Sequence, residues 1–464
     1  MTPTDSNAPQ PLDDILRTLS RTSLALLPIA AAVPIALDDA FLRMRPGRPS
    51  RLFELLGAAL AVGVLLAAAR ALAKYRPSVH GAVPVLGFLL VVFHGVQTIG
   101  PRPVQSWDFQ AYAHAADAVQ DGVTPYPLVN PYYTYPPPFA HVMSGLASGV
   151  QLVAGVTRER AWPWVFYLCE IVQIALLAAA YVLLLRPAIA LGLDATRAAV
   201  IVALLLIVNT PVLLTFALVQ VNILIVVLVL AGVAIVGRGA LGDAMGGLLL
   251  TCAGFIKLYP FALVPLWAAA GRRRAAAWSI GWAIAIVAIT RPWREWTEFV
   301  ELWLRPAVYP TAGDSTIFNV FANGARFLGL ASSPQPPPAI RFVWLAIVAL
   351  VSFWAVRRIA LRLATTPRLS LFVCTAEVLA LTLFVSPLVW PHHFVYVLPL
   401  TVVAAATVPS ARQWHVAIAA LLMFAMPWSD FFGFGYHRLI GLGLLLWACR
   451  PERQTIDPAL AQLA

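Results

Sequence analysis

The sequence has few charged residues. They make up 11% of its 464 residues, whereas a soluble domain carries about 25%. A chain this poor in charge cannot cover a water-facing surface, so a soluble globular protein is excluded. Lysine is nearly absent, since Lys74 and Lys257 are the only two and the other basic residues are arginine. With the abundant alanine, this usage is typical of a GC-rich genome, which indicates a bacterium.

Cysteine is scarce as well. The four cysteines lie far apart within apolar segments, which excludes a disulfide framework and a Cys-x-x-Cys metal site. A clear cleavage site is missing after the apolar stretch 24–37, so we expect a retained first span and not a removed signal peptide. No internal repeat is visible, which argues against the repeat-built design of many secondary transporters.

The chain is rich in long apolar segments. Hydrophobic residues make up 60% of the chain, and the mean hydropathy is +0.80. Runs of about 18 to 20 apolar residues match the hydrocarbon core of a bilayer, and they do not alternate as the strands of a barrel would. The sequence therefore predicts an all-α polytopic membrane protein with about 12 to 14 transmembrane helices. Prominent runs are 52–72, 165–185, 198–236, 276–289 and 371–385.

The basic residues indicate the orientation. The net charge is +11, and short arginine clusters at 272–274, 357–368 and 450–453 separate apolar runs. This is the positive-inside pattern, which places the clusters in the cytoplasm; a lipid-binding basic patch is the alternative, although it needs longer clusters. We expect one integral membrane domain over 1–464. Its parts are a polar cytoplasmic N-terminus (1–21), external loops (100–138 and 291–338) and a cytoplasmic tail (450–464).

The first external loop contains Asp108 at the start of a helix-like segment that ends at Asp121. We expect this helix to lie flat on the membrane surface, with Trp107 and Phe109 as anchors. Tyr112 lies one turn after Asp108 on the same face. Asp108 is either a helix N-cap or a general base that removes a proton from a hydroxyl, and both roles are compatible.

Polar residues also interrupt the apolar runs. Gln220 and Asn222 are expected to bond to another helix. Lys257 lies near the middle of the run 246–270, where Pro260 is expected to break the helix. A cation within hydrocarbon indicates a functional site whose natural partner is an anion such as a lipid phosphate. Snorkelling of the lysine towards the interface is the alternative.

Two adjacent histidines, His392 and His393, follow the span at 371–385. Adjacent histidines rarely bind one zinc ion together and no carboxylate neighbours them, so we predict no metal site. Phosphate coordination or proton transfer fits them better. Earlier in the chain, Tyr135 precedes three prolines that stiffen the entry into the next span, and this tyrosine is a candidate to line a sugar site.

These blocks, in this order, resemble glycosyltransferase family 87, the polyprenyl-phosphate-mannose-dependent mannosyltransferases and relatives of the GT-C superfamily. The family pattern is Asp-x-x-x-Tyr, Tyr-Pro-Pro, Gln-x-Asn, Lys-x-x-Pro and Ser-Pro-x-x-Trp-x-His-His. Here it corresponds to Asp108 and Tyr112, Tyr135–Pro137, Gln220 and Asn222, Lys257 and Pro260, and Ser386–His393. The sequence departs from the family at Val219, where glycine is usual, and at Asn319-Val320-Phe321, which replaces an Asn-Gln-Ser block.

The resemblance implies an enzyme that moves one sugar, expected to be mannose, from a polyprenyl-phosphate donor to a glycolipid or cell-envelope glycan, with inversion and without a cofactor. It implies action at the outer face of a bacterial cytoplasmic membrane. Asp108 would be the catalytic base. Lys257, His392 and His393 would bind the donor phosphate, and the weaker substrate contacts would be Tyr112, Tyr135, Gln220 and Asn222.

Three alternatives remain. The first is an arabinofuranosyltransferase of the same family. The second is a lipid or sugar flippase, although the spans contain no acidic relay. The third is an oligosaccharide polymerase or ligase that uses the arginines of the loop 291–338. No nucleic acid partner is expected.

Overall fold

The computed structural model describes residues 106–126, 133–207, 209–290, 293–304, 316–328, 338–365, 370–386, 388–426 and 436–450. The expected first span, the run 52–72, the N-terminal segment 1–21 and the tail after Arg450 lie outside these residues. The described residues are helical and contain no strand, and several of the helices are long and apolar. The fold class is therefore confirmed as an all-α polytopic membrane protein.

Sixteen α-helices follow one another in the described residues, joined in places by short 3-10 or π segments. They are α1 (Trp107–Gln120), α2 (Pro137–Ala154), α3 (Arg158–Ala190), α4 (Ala195–Ile207), α5 (Thr210–Ala217), α6 (Asn222–Ile235), α7 (Gly239–Ile256), α8 (Leu263–Ala269), α9 (Arg273–Thr290), α10 (Trp293–Leu304), α11 (Ile317–Phe327), α12 (Pro338–Thr365), α13 (Ser370–Val385), α14 (Leu398–Thr407), α15 (Gln413–Ala420) and α16 (His437–Ala448).

Three helices are long and apolar enough to cross a membrane: α3, α7 and the part Phe342–Leu363 of α12. The number rises to five if the pairs α4–α5 and α9–α10, bent by 54° and 114°, each count as one span. The shorter apolar helices include α6 and α16. These counts cover only the described residues, so the expected total of about 12 to 14 spans stays a prediction.

The long run 198–236 is interrupted twice. Asn209 caps α5, because its Oδ1 accepts a hydrogen bond of 3.0 Å from the N–H of Val212. The chain turns again between α5 and α6, where Val219 has a φ of 49°. Irregular backbone at membrane depth is tolerated only inside protein or along a cavity. The second turn, which carries Gln220 and Asn222, therefore marks the protein interior.

The run 246–270 breaks as expected near Pro260. Helix α7 ends at Ile256, Lys257 is extended with φ −144° and ψ 137°, and a 3-10 turn covers Tyr259–Ala262 before α8. Proline has no N–H to donate, and its ring clashes with the carbonyl four residues earlier. Lys257 consequently lies at a helix end and not within a continuous span.

Close packing fixes the position of α7. A Cβ on Gly247 would lie 2.8 Å from the backbone nitrogen of Ser279 and 2.9 Å from the carbonyl oxygen of Ala275. Thr251 also donates a hydrogen bond of 2.9 Å to the carbonyl of Ser279. Small residues that let backbones approach are the usual means of joining helices in membranes. The helix that ends at Lys257 is therefore held firmly against α9.

The arginine cluster at 357–368 begins inside α12, which corrects the expectation of a loop there. Arg358 and Arg362 donate to the same oxygen of Glu377 at 2.9 and 3.2 Å. Arg358 also donates to the carbonyl oxygens of Leu446 and Cys449. The buried ion cluster ties α12, α13 and the end of α16 together, because a buried carboxylate needs such partners.

Candidate active site

Helix α1 begins with a cap at Ser106. The hydroxyl of Ser106 accepts a hydrogen bond of 3.3 Å from the N–H of Phe109. It also donates one of 2.6 Å to the carbonyl of Leu218. The interpretation of Asp108 as the N-cap is therefore wrong, because the serine two residues earlier holds that position. Asp108 lies in the first turn, where a carboxylate also interacts favourably with the helix dipole.

Contacts to α3 hold α1 in place. The ring of Phe109 packs edge-on against Phe166 with centroids 5.0 Å apart, and Phe109 is only 5% exposed. The expectation that Phe109 anchors the helix in the membrane surface is therefore wrong. At the other end, Trp162 donates a hydrogen bond of 3.2 Å to Asp117, and Arg158 pairs with Asp121 at 2.7 Å. The side chain of Trp107 lies outside the described part.

The carboxylate of Asp108 is partly exposed and meets two groups from distant segments. The amide of Gln220 lies within interaction range of the carboxylate, and Lys257 lies close enough for the two charges to interact. Burial raises the pKa of Asp108, while the amide of Gln220 and the charge of Lys257 act in the opposite direction. The site thus brings together a carboxylate and a cation that are 149 positions apart in the chain.

Tyr112, Tyr135 and Gln220 form a buried hydrogen-bonded cluster beside Asp108. The hydroxyl groups of Tyr112 and Tyr135 lie 3.3 and 3.0 Å from Oε1 of Gln220 and 2.9 Å from each other. The sequence predicted these residues as substrate contacts. The structure brings all three together at Asp108 and engages both hydroxyl groups with the amide oxygen.

Asn222, Lys257 and His393 form a second cluster. The Nζ atom of Lys257 donates to Oδ1 of Asn222 at 2.9 Å and lies 2.7 Å from Nε2 of His393. The same amine lies 5.5 Å from the ring centroid of Tyr135, which connects the two clusters. Protein groups therefore hold the amine, and these contacts argue against the snorkelling alternative.

Both histidines lie on the 3-10 segment Pro391–Val397 and are buried. The Nδ1 atom of His393 accepts a hydrogen bond of 3.2 Å from the N–H of Trp390. The Nε2 atom of His392 is buried and has no hydrogen-bond partner within the residues the structure describes. The ring of His392 meets that of His393 edge-on, with centroids 4.7 Å apart.

Sequence reasoning missed two residues of this site, Ser106 and Tyr396. The hydroxyl of Tyr396 donates to Oδ1 of Asn222, and its ring stacks on that of His393 with centroids 6.2 Å apart. Side chains three residues apart lie above one another in a 3-10 helix, so a 3-10 assignment at Pro391 would have revealed this pair. Ser106 could have been recognised because serine is one of the preferred N-cap residues and stands directly before the helical segment.

The turn before Gln220 leads to a prediction about stability. A buried, β-branched Val219 in the left-handed region costs about 1 to 3 kcal/mol, which glycine avoids. Val219→Gly loses about 1.5 to 3 kcal/mol of apolar burial but regains this strain. Val219→Ala loses much of the burial and keeps part of the strain. We expect Val219→Gly to lower the melting temperature in detergent less than Val219→Ala, and the reverse order would show that the turn is unstrained.

Comparison with known proteins gives one family and one relative. The sequence model of glycosyltransferase family 87 matches residues 133–387, more than half of the chain. The match includes Tyr135, Gln220, Asn222 and Lys257, begins after Asp108 and ends before the histidines. A polyprenol-phosphate-mannose-dependent alpha-(1-2)-phosphatidylinositol mannoside mannosyltransferase of Mycolicibacterium smegmatis is 34% identical over 159 residues. These residues cover 31% of this chain and 33% of that protein. No solved structure matches the chain.

Proposed function

The chain belongs to glycosyltransferase family 87, and on this basis we propose that it is a membrane-embedded glycosyltransferase. It transfers one sugar from a polyprenyl-phosphate donor to a glycolipid or cell-envelope glycan. The observation that carries the proposal is that Asp108 lies close enough to Lys257, which contacts His393 at 2.7 Å, for the two charges to interact. A carboxylate and a cation in one site are what sugar transfer from a phosphate requires.

Asp108 acts as the general base. Its carboxylate takes the proton of the acceptor hydroxyl while the hydroxyl oxygen attacks the anomeric carbon of the donor. A new carbon–oxygen bond forms, and the bond between the anomeric carbon and the phosphate oxygen breaks. The phosphate leaves with the bonding electron pair. A single displacement of this kind inverts the configuration at the anomeric carbon.

Lys257 stabilises the departing phosphate. The donor is a phosphodiester with one negative charge, and cleavage creates a phosphate monoester that gains another. A cation held where this charge develops lowers the barrier. Asn222 and His393 hold the amine in place before the donor arrives, so little reorganisation is needed during the reaction.

The two histidines complete the phosphate site. The Nζ atom of Lys257 lies against Nε2 of His393 and donates to Asn222, and a charged lysine has three N–H donors, so Lys257 offers the phosphate both charge and a remaining donor. The partnerless Nε2 of His392 adds a further donor when it carries the proton.

The donor sugar, the acceptor and the side of the membrane are part of the same proposal. Mannose and a glycolipid acceptor are supported by the activity for which the Mycolicibacterium smegmatis relative is named. Action at the outer face of a bacterial cytoplasmic membrane is supported by the arginine clusters at 272–274 and 450–453, which the positive-inside rule assigns to the opposite side. The donor then enters sideways from the outer leaflet.

The test is a transfer assay with the purified full chain in proteoliposomes. Labelled polyprenyl-phosphate mannose is supplied with extracted envelope lipids, and products are analysed by mass spectrometry and by NMR of the new linkage. We expect a glycolipid with inverted configuration from the lipid donor and none from a nucleotide sugar alone. Transfer from the nucleotide sugar without lipid donor would contradict the proposal. If the protein used polyprenyl-phosphate arabinofuranose instead, the donor sugar of the proposal would change, but the enzyme would still be a lipid-phosphate-dependent glycosyltransferase.

A further inference from the structure

The side-chain amide of Gln220 has a fixed orientation. Its oxygen accepts hydrogen bonds from the tyrosine hydroxyl groups, at 3.3 Å from Tyr112 and 3.0 Å from Tyr135. An amide donates only through its nitrogen. Since the oxygen is occupied by the tyrosines, the NH₂ group is the part of Gln220 that is left to donate to Asp108.

The surroundings make this orientation rigid. The rings of Tyr112 and Tyr135 meet edge-on with centroids 5.1 Å apart, and both pack against Phe139. The two tyrosines are 1% and 6% exposed, and Gln220 is 2% exposed. Water therefore has little access to the amide, and a reversed amide would turn its oxygen, an acceptor, towards the carboxylate of Asp108.

The backbone of Gln220 is held as well. Its N–H donates a hydrogen bond of 2.8 Å to the carbonyl of Thr215, and its own carbonyl accepts one of 3.3 Å from Gln173. Ser106 joins the start of α1 to the carbonyl of Leu218 in the same turn. The segment that presents the amide and the helix that presents the carboxylate therefore form one rigid unit.

We propose that Gln220 is a positioning residue that holds the carboxylate of Asp108 ionised and aimed, and that Tyr112 and Tyr135 fix the amide for this task. The inference rests on the proposed function, in which Asp108 is the base. It assigns these three residues to the support of the base and not to direct contact with the sugar. A donor to a carboxylate favours the charged form, and burial opposes it.

The inference is tested by the pH dependence of Gln220→Leu. Only ionised Asp108 accepts a proton, so the rate rises as the pH passes the pKa of Asp108. Loss of the NH₂ donor raises that pKa, because burial remains and a stabilising bond is gone. We expect the acidic limb of the kcat profile to move up by about one pH unit, with a rate about tenfold lower on that limb and recovery at high pH.

Gln120→Leu is the matched control. Gln120 lies at the far end of α1, where its amide donates to Ser144 and Ser148. If Gln220 acted only by holding α1 in place, both leucine variants would lower the rate at every pH. We expect the acidic limb of Gln120→Leu to coincide with that of the wild type. An unshifted limb in Gln220→Leu would overturn the inference.

A second variant covers the case in which Gln220→Leu fails to fold. Tyr112→Phe combined with Tyr135→Phe removes both hydroxyl groups and keeps the rings. The amide then loses the bonds that orient it, and we expect a shift of the acidic limb in the same direction but smaller than one unit. An unchanged limb in this folded double variant would also overturn the inference.

An infrared titration separates this inference from the proposed function. The carboxyl stretch of Asp108 is assigned from the difference between the wild type and Asp108→Asn in nanodiscs, without any substrate. We expect the midpoint of this band to rise in Gln220→Leu. A midpoint that stays unchanged overturns the inference alone, whereas transfer activity that survives Asp108→Asn overturns the assignment of Asp108 as the base, whatever the midpoint does.

Discussion

Replacing Asp108 by asparagine is expected to lower kcat for sugar transfer by about 100- to 10,000-fold, the usual contribution of a general base. The asparagine side chain has the same shape but cannot take the proton of the acceptor hydroxyl. Its oxygen is still an acceptor for the nearby amide of Gln220, so the fold and the binding of the donor should persist. The measurement is kcat at saturating donor in proteoliposomes, with donor affinity determined separately.

Asp117→Asn provides the control for this experiment. Asp117 lies on the same helix and accepts a hydrogen bond from Trp162, which the asparagine oxygen also accepts. The variant therefore changes one charge on α1 without touching the site, and we expect a rate within about threefold of the wild type. A folded Asp108→Asn protein with the rate of this control would show that another group removes the proton.

Replacing Lys257 by methionine is expected to lower kcat/KM for the lipid-phosphate donor by about 100- to 1,000-fold. Methionine keeps most of the apolar stem and removes the charge that faces the departing phosphate. Asn222 and His393 lose their shared partner, so part of the loss comes from a less ordered phosphate site. The measurement is the initial rate at several donor concentrations, together with binding of labelled donor.

Arg197→Ala is the matched control, because Arg197 is a partly exposed cation that pairs with Asp194 at 3.1 Å, away from the site. We expect its donor kinetics to match those of the wild type. The acceptor KM should remain near its wild-type value in both variants. An unchanged donor affinity in Lys257→Met would favour the alternative in which the amine only reaches for the membrane surface.

The sequence predicted the ionisable residues of the site better than the residues that hydrogen-bond to them. Lys257 could be found because an ionisable side chain is costly in an apolar segment and therefore conspicuous. Asp108 and the two histidines could be found from the blocks in which they stand, Asp-x-x-x-Tyr and Ser-Pro-x-x-Trp-x-His-His. Their partners could not be found in this way. Tyr396 is one aromatic residue among many, and its bond to Asn222 joins positions 174 residues apart.

The errors have physical causes. In a soluble protein an apolar side chain faces inward, but in a membrane protein it can face lipid or protein equally well. Phe109 was therefore assigned to the membrane surface, although it packs against Phe166. Asp108 was considered for the cap because aspartate is common there, whereas a serine two residues earlier has the same chemistry. The break at Pro260 was predictable because it follows from the chemistry of one residue.

That break has a consequence for the direction of the lysine side chain. Had α7 continued through residue 257, the side chain would have followed the helical screw, tilted back along the helix like its neighbours. The extended backbone at Lys257 releases the side chain from that screw. The amine can then reach sideways to two other parts of the chain. The interruption of the helix thus lets a residue of the apolar run contact Asn222 and His393.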